Sequence, residues 1–124
     1  MANENSMLLG IDLPYSLEAE QSVLGAVLVE PGVLSELVEK LREKGTPVYL
    51  TIDLDCLDPS AFPGTGTPEA GGMGFLQLLE AIRTATKANI VAADVNELAP
   101  MLDTSGVSTA TACKVLRELL LALK

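Results

Sequence analysis

Histidine and tryptophan are absent from the 124-residue chain, aromatic side chains make up only 3% of it, and eight Lys and Arg face seventeen Asp and Glu. Without an imidazole there is no histidine general base, no Ser-His or Cys-His nucleophile pair and no histidine metal ligand. Chemistry would have to come from carboxylates, hydroxyls, Lys or Cys. The scarcity of rings removes stacking platforms for single-stranded nucleic acid, and a net charge of -9 repels a phosphate backbone, so nucleic acid is not an expected partner. The two cysteines, Cys56 and Cys113, stand far apart with no CxxC spacing. A zinc cluster or redox motif therefore has no support, and buried free thiols are expected. No stretch approaches the ~18 uncharged apolar residues of a membrane span, and Met1 to Ser6 lacks the basic patch and apolar run of a signal peptide. No membrane partner and a cytoplasmic setting are expected.

What the chain has in quantity is apolar side chains, 48% of the total, of which 22 are Leu. That is enough for one domain over residues 1–124 without disulfide staples. Ser16 is placed as a helix N-cap with Glu18 and Glu20 in the first turn, where carboxylates complement the helix dipole. Leu17, Gln21, Leu24 and Leu28 continue a helical stripe, Pro31-Gly32 interrupts it, and Leu34, Leu37, Val38 and Leu41 resume it. Helices are predicted near 16–29 and 32–44, the second carrying an exposed Glu36–Lys40 pair and closed by Gly45. Met7 to Ile11 is a candidate short strand.

Val48-Tyr49-Leu50-Thr51-Ile52 reads as a parallel strand buried on both faces, spanning 48–54, and Asn89 to Val95 holds a second over 90–95. Between them a Pro/Gly/Thr-rich stretch from Asp58 to Gly74 predicts an irregular loop, and Phe75, Leu78, Leu79 and Ile82 restore helical spacing over 73–87. A last helix, 106–123, carries Cys113, Leu116, Leu119, Leu120 and Leu123 at steps of three and four. The alternation predicts an α/β fold with a small parallel sheet of two or three strands.

The acidity is local. Residues 48–103 hold eight acids against two bases, whereas 104–124 hold one acid against three. Asp53 and Asp55 are two apart at a strand's carboxyl end, so an extended chain would project both to one face. Asp94 and Glu97 leave the second strand at the same edge, which is where open α/β sheets place their ligand crevice. Four carboxylates converging there would repel one another unless protonated or neutralised by a hard cation such as Mg²⁺, Ca²⁺ or Mn²⁺. Acids at strand ends also serve as caps and loop acceptors, so spacing alone leaves function open.

The literal string is more specific. Val48 to Gly72, VYLTIDLDCLDPSAFPGTGTPEAGG, followed by VAADVNELAP at 91–100, closely resembles the C-terminal part of the ureohydrolase family, agmatinase and arginase, with the likeness covering about 46–124. Such enzymes are α/β proteins that hydrolyse a guanidinium group to urea and an amine on two hydroxide-bridged Mn²⁺ ions. The resemblance implies metal-ligand roles for Asp53 and Asp55 and substrate-orienting roles for Asp94 and Glu97, with Glu97 favoured as the guanidinium contact. It places the loop Pro63, Gly64, Thr65 and Gly66 at the mouth of the site. The family takes its remaining ligands from histidines and aspartates in Gly-Gly-Asp-His and Asp-Ala-His-x-Asp motifs, and neither motif occurs here. No cofactor is therefore required by this chain, and at most weak binding of Mn²⁺ or Mg²⁺ is expected.

Residues 13–31, with the string Ser16-Leu-Glu-Ala-Glu-Gln-Ser-Val-Leu-Gly25, resemble the opening of the N-terminal domain of the bacterial replicative DNA helicase. There the segment begins a helical domain used for subunit contacts. On this reading residues 1–45 form a helicase-like helical segment and 46–124 a ureohydrolase-like βαβα segment. No phosphate-cradling Gly-rich Lys motif is present, so helicase activity is not expected. Three functions follow as expectations: a recombined or engineered chimera with no evolved catalytic activity; a degenerate ureohydrolase with a weak divalent-metal site; and a helicase-type interaction module. Open sheet edges predict a homodimer or higher oligomer.

Overall fold

The computed structural model describes residues 31–123. The expected strand at 7–11 and helix at 16–29 lie outside the described residues. Gly32–Lys124 forms one compact unit, with helix α1 (Pro31–Glu43), strand β1 (Pro47–Asp53), a 3-10 turn (Leu54–Cys56), helix α2 (Phe75–Ala85), strand β2 (Asn89–Asn96), a second 3-10 turn (Pro100–Leu102) and helix α3 (Val107–Ala122). Each expected element in this region forms within about two residues of its predicted bounds.

Helix α1 begins at Pro31, whose fixed φ and missing N–H suit a first helical position. Its apolar stripe works as the spacing predicts, with Val38 buried and Leu34, Leu37 and Leu41 half-buried. On the solvent side Lys40 pairs with Glu36 and Arg42 with Glu39, each at 2.7 Å. Gly45 takes φ 61°. Its N–H donates to Arg42 O at 3.0 Å and the Thr46 N–H to Leu41 O at 3.1 Å, the paired bonds of a Schellman stop.

Strands β1 and β2 pair in parallel, with Thr51 opposite Asp94, Ile52 opposite Val95 and Asp53 opposite Asn96. The register slips once: Val48 faces Ile90 but Tyr49 faces Ala92, so Val91 is an extra residue left 64% exposed. The expected burial on both faces is not found. Along β1 exposure alternates, with Ile52 buried and Leu50 half-buried while Tyr49, Thr51 and Asp53 are exposed. Only one face carries helices among the described residues, and alternation is what one covered face produces.

The core gathers Ile52, Leu54, Leu57, Phe62, Leu78 and Ile82 with Ala112, Val115 and Leu119 of α3. Two sequence expectations are corrected on α3. Of the expected stripe only Leu119 points inward, while Leu116 and Leu120 are 46% and 58% exposed and Leu123 is 40% exposed. Ser108, Ala112 and Val115 take the inner positions. Cys113 goes out with the leucines and is exposed, and Cys56 is half-buried, so neither thiol is the fully buried group expected. Glu118 bridges the helices, accepting from Lys114 at 2.7 Å and Arg117 at 2.8 Å on α3 and from Arg83 of α2 at 3.4 Å.

The 58–74 stretch is irregular as expected, yet it is fastened. Leu57 and Met73 form an isolated parallel bridge. The Met73 N–H donates to Cys56 O at 2.8 Å and the Asp58 N–H to Met73 O at 3.0 Å. Gly72 lies so close that a Cβ there would meet Asp58 N at 2.6 Å. Within the loop Phe62 is completely buried, making this segment part of the core.

Candidate functional site

β1 ends at Asp53 and turns at once. Asp53 Oδ1 accepts the Asp55 N–H at 2.9 Å, capping the 3-10 turn. Leu54 between them is completely buried, which anchors the turn to the core. The extended Asp-x-Asp geometry expected from the spacing is therefore replaced by a capped turn. Asp55 reaches the loop instead: Thr65 donates its hydroxyl to Oδ1 and Thr67 to Oδ2. Thr65 is only 2% exposed. Thr65 and Thr67 flank Gly66 in a run of bends, and both hydroxyls turn to the one carboxylate without any local sequence pattern that announces it.

Asp94 sits on the outer face of the sheet. Tyr49 Oη donates to its Oδ2 at 2.5 Å, Thr51 Oγ1 to its Oδ1 at 2.9 Å, and Asn96 Nδ2 to Oδ1 at 3.2 Å. The Tyr49 and Thr51 hydrogen bonds hold the Asp94 carboxyl below the usual carboxylate range. Reciprocally, bonding to Asp94 pushes the Tyr49 phenol up. Both follow from donors that favour the charged acceptor.

Glu97 leaves β2 with φ 67°, the only positive value among the described residues that are not glycine. A left-handed residue with a Cβ is uncommon and redirects the chain sharply. Here it turns the chain so that the Ala99 N–H donates to Gly64 O at 2.8 Å. Glu97 is exposed. Gly64 also donates its N–H to Ser108 Oγ at 2.7 Å, so the loop expected at the mouth of a site is clamped from both ends of the β2–α3 connection.

Cys56 lies beside this turn, and burial, reinforced by the charge of Asp53, pushes its thiol up, which makes it a poor nucleophile. A cleft of about 260 Å³ opens next to Asp53 and Cys56, walled by Leu34, Leu50, Ile52 and Leu78.

The four carboxylates are thus split among separate settings. Asp53 and Asp55 share the capped turn and Asp94 is held by the outer-face hydroxyls, while Glu97 belongs to neither and stands exposed on its left-handed turn. Among the described residues no group of three or more Asp, Glu, Cys or His is placed to hold a metal ion. Carboxylates are the right donors for a hard divalent cation, and each retains lone pairs beyond those its hydrogen bonds occupy. Two of them suit a weak site completed by water, not a closed one. Among the described residues no helix is long and apolar enough to cross a membrane.

Comparison with known proteins identifies the relatives of this chain. The arginase family profile matches residues 26–122, beginning about twenty residues before the likeness read from the sequence. Agmatinase of Neisseria gonorrhoeae (strain NCCP11945) is 39% identical over 117 residues, covering 93% of this chain and 38% of that protein. That coverage takes in most of residues 13–31, the stretch expected from the sequence to be helicase-like. Agmatinase of Bacillus anthracis is 47% identical over 96 residues, 76% of this chain and 32% of its own. Among solved structures, proclavaminate amidino hydrolase from Streptomyces clavuligerus superposes with a TM-score of 0.71 at 26% identity, covering 90% of this chain and 40% of that one. The chain spans well under half the length of each of these relatives, and by profile, sequence and fold it belongs to the arginase family.

Proposed function

We propose that this chain is a degenerate ureohydrolase-like protein: it carries the carboxylate end of a guanidino-hydrolase site, binds a divalent cation weakly through Asp53 and Asp55, and alone does not hydrolyse agmatine or arginine. The observation that supports this most directly is the ordering of Asp55, whose two oxygens are each held by a loop hydroxyl. A carboxylate fixed in advance loses less entropy on taking a cation than a free one. Glu97, exposed on its left-handed turn, is the carboxylate available to face a guanidinium, whereas Asp94 is engaged by Tyr49 and Thr51.

Inactivity follows from donor count. The sequence has no histidine, so neither one copy nor two can supply imidazole ligands. A bound Mn²⁺ would contribute Lewis acidity and an activated water, but two carboxylates leave most of its positions to exchangeable solvent. Titration calorimetry with Mn²⁺ tests the reading: weak binding is expected, abolished in the Asp53→Asn/Asp55→Asn double variant. Equal heats from both proteins, or urea released above that variant's background, would overturn it. A recombined origin for residues 13–31 would alter the history of the chain and leaves the strand-end chemistry unchanged.

Self-association belongs to the same proposal. Among the described residues the sheet has two strands and so two edges, and α3 presents Leu116, Leu120 and Leu123 to solvent beside its buried stripe. A dimer or larger species is expected by light scattering, shifting toward monomer in Leu116→Gln/Leu120→Gln. A monomeric mass across a tenfold dilution series would refute it.

A further inference from the structure

A short run of hydrogen bonds ties the start of α3 to Asp55. Asp103 Oδ2 accepts the Ser108 N–H at 2.7 Å, and its Oδ1 accepts the Ser105 N–H at 2.9 Å and the Ser105 hydroxyl at 2.6 Å. Asp103 therefore fixes the first turn of the helix, and with it the Ser108 backbone. The Ser108 side chain is completely buried, and its Oγ accepts the Gly64 N–H at 2.7 Å. From the other side the Ala99 N–H donates to Gly64 O at 2.8 Å. Both peptide groups of Gly64 are thus held by partners outside the loop. The approach is possible only without a side chain, since a Cβ on Gly64 would lie 2.8 Å from the Cβ atoms of both Asp103 and Ser108. Thr65 follows directly, nearly fully buried, with its hydroxyl on Asp55.

We propose that Ser108 is a positioning residue for Asp55: by fixing the Gly64 peptide it sets the rotamer of Thr65, and through Thr65 the orientation of the carboxylate. The value of this for cation binding rests on the function proposed above; the positioning itself does not. A hydroxyl is required at 108 because Gly64 presents a buried N–H that an apolar side chain would leave unpaired. Ser108 also connects the two strand exits, because the residue whose N–H it holds is the one whose carbonyl receives the Ala99 N–H, two residues after Glu97. The same glycine thereby references Asp55 and Glu97 to each other.

The test uses the full-length, metal-free chain and three-bond NMR couplings that report χ1 of Thr65 and Asp55. In the parent protein both residues should show single-rotamer couplings. Ser108→Ala should move both toward rotamer-averaged values, whereas Thr111→Ala, which removes a hydroxyl from the same helix that reaches only Ala61 O at 3.4 Å, should leave them unchanged. If Ser108→Ala does not fold, Thr65 supplies the second route: Thr65→Val should release Asp55, and Thr65→Ser, which keeps the hydroxyl, should restore it. Calorimetry with Mn²⁺ on the same proteins should show affinity reduced about tenfold in Ser108→Ala and Thr65→Val, the scale of losing an outer hydrogen bond to a ligand. Unchanged Asp55 couplings in Ser108→Ala, or in Thr65→Val, would overturn the positioning role. Couplings that shift as expected in a protein that binds no Mn²⁺ would uphold it and remove the cation reading instead.

Discussion

On the inner face of the sheet Leu50, Ile52, Ala93 and Val95 pack with α2 and α3 around Leu54, Leu57 and Phe62. On the outer face, interleaved along the same strands, Tyr49, Thr51, Asp94 and Asn96 join in an exposed ladder of side-chain hydrogen bonds. The inner face gains from apolar area withdrawn from water, at roughly 25 cal/mol per Å². The outer face gains little, because each bond there replaces one to solvent. The pairing teaches where this small fold keeps its stability and where it keeps its polar chemistry. A sheet face that satisfies its own polar groups can stand in water uncovered.

Adjacent residues offer the sharpest contrast. Ile52→Ala should cost about 2–5 kcal/mol of unfolding free energy in urea titrations, as buried aliphatic truncations do, whereas Thr51→Ala on the opposite face should stay within about 0.5 kcal/mol. Equal losses would erase the distinction. Gly64→Ala comes next, at roughly 1–3 kcal/mol, because the new methyl must displace packed neighbours; a neutral result would mean that the loop is not clamped. A smaller effect is expected at low pH. Hydrogen bonds from Ser105 and Ser108 hold the Asp103 carboxyl far below the usual carboxylate range, and those from Ser60 and Gly71 lower Asp58. Carboxyls depressed in the folded state stabilise it above the unfolded value near pH 4 and lose that contribution as pH falls toward the folded value. The melting temperature should therefore drop in acid, with a shallower slope in Asp103→Asn. The smallest change lies on the outer face: in Asp94→Asn the phenol of Tyr49 should titrate at lower pH than in the parent, read from phenolate absorbance, with little change in melting temperature. An unmoved phenol would show that the ladder is not formed in solution.

Much of this was legible from residue order. The strands and helices follow from periodicity and breakers, and the Asp-x-Asp string marks the exit of β1. The orientation of α3 was not legible, because Cys113, Leu116, Leu120 and Leu123 form an apolar stripe as convincing as the one that is buried. Ala112, Val115 and Leu119 were chosen by the space available under α2, and Ser108 was drawn in by the Gly64 N–H. A small polar residue on a helix reads as solvent-facing until its long-range partner is known. Asp94 was placed by strand position alone; Tyr49 and Thr51, which hold it, are 45 and 43 residues away in the chain. Thr67 was missed because a loop threonine has no distinguishing local pattern.

The bridge between Leu57 and Met73 joins residues only 16 positions apart, whereas the β1–β2 ladder joins Thr51 to Asp94 across 43. Closing a short circuit costs less chain entropy and occurs sooner than closing a long one. The lasso holding Phe62, Thr65 and Thr67 can therefore draw shut while the second strand is still being sought. In order of assembly, the loop bearing Thr65 and Thr67 would close beside Asp55 before the sheet is complete, and Thr65 would take its final setting only when Ser108 docks on Gly64.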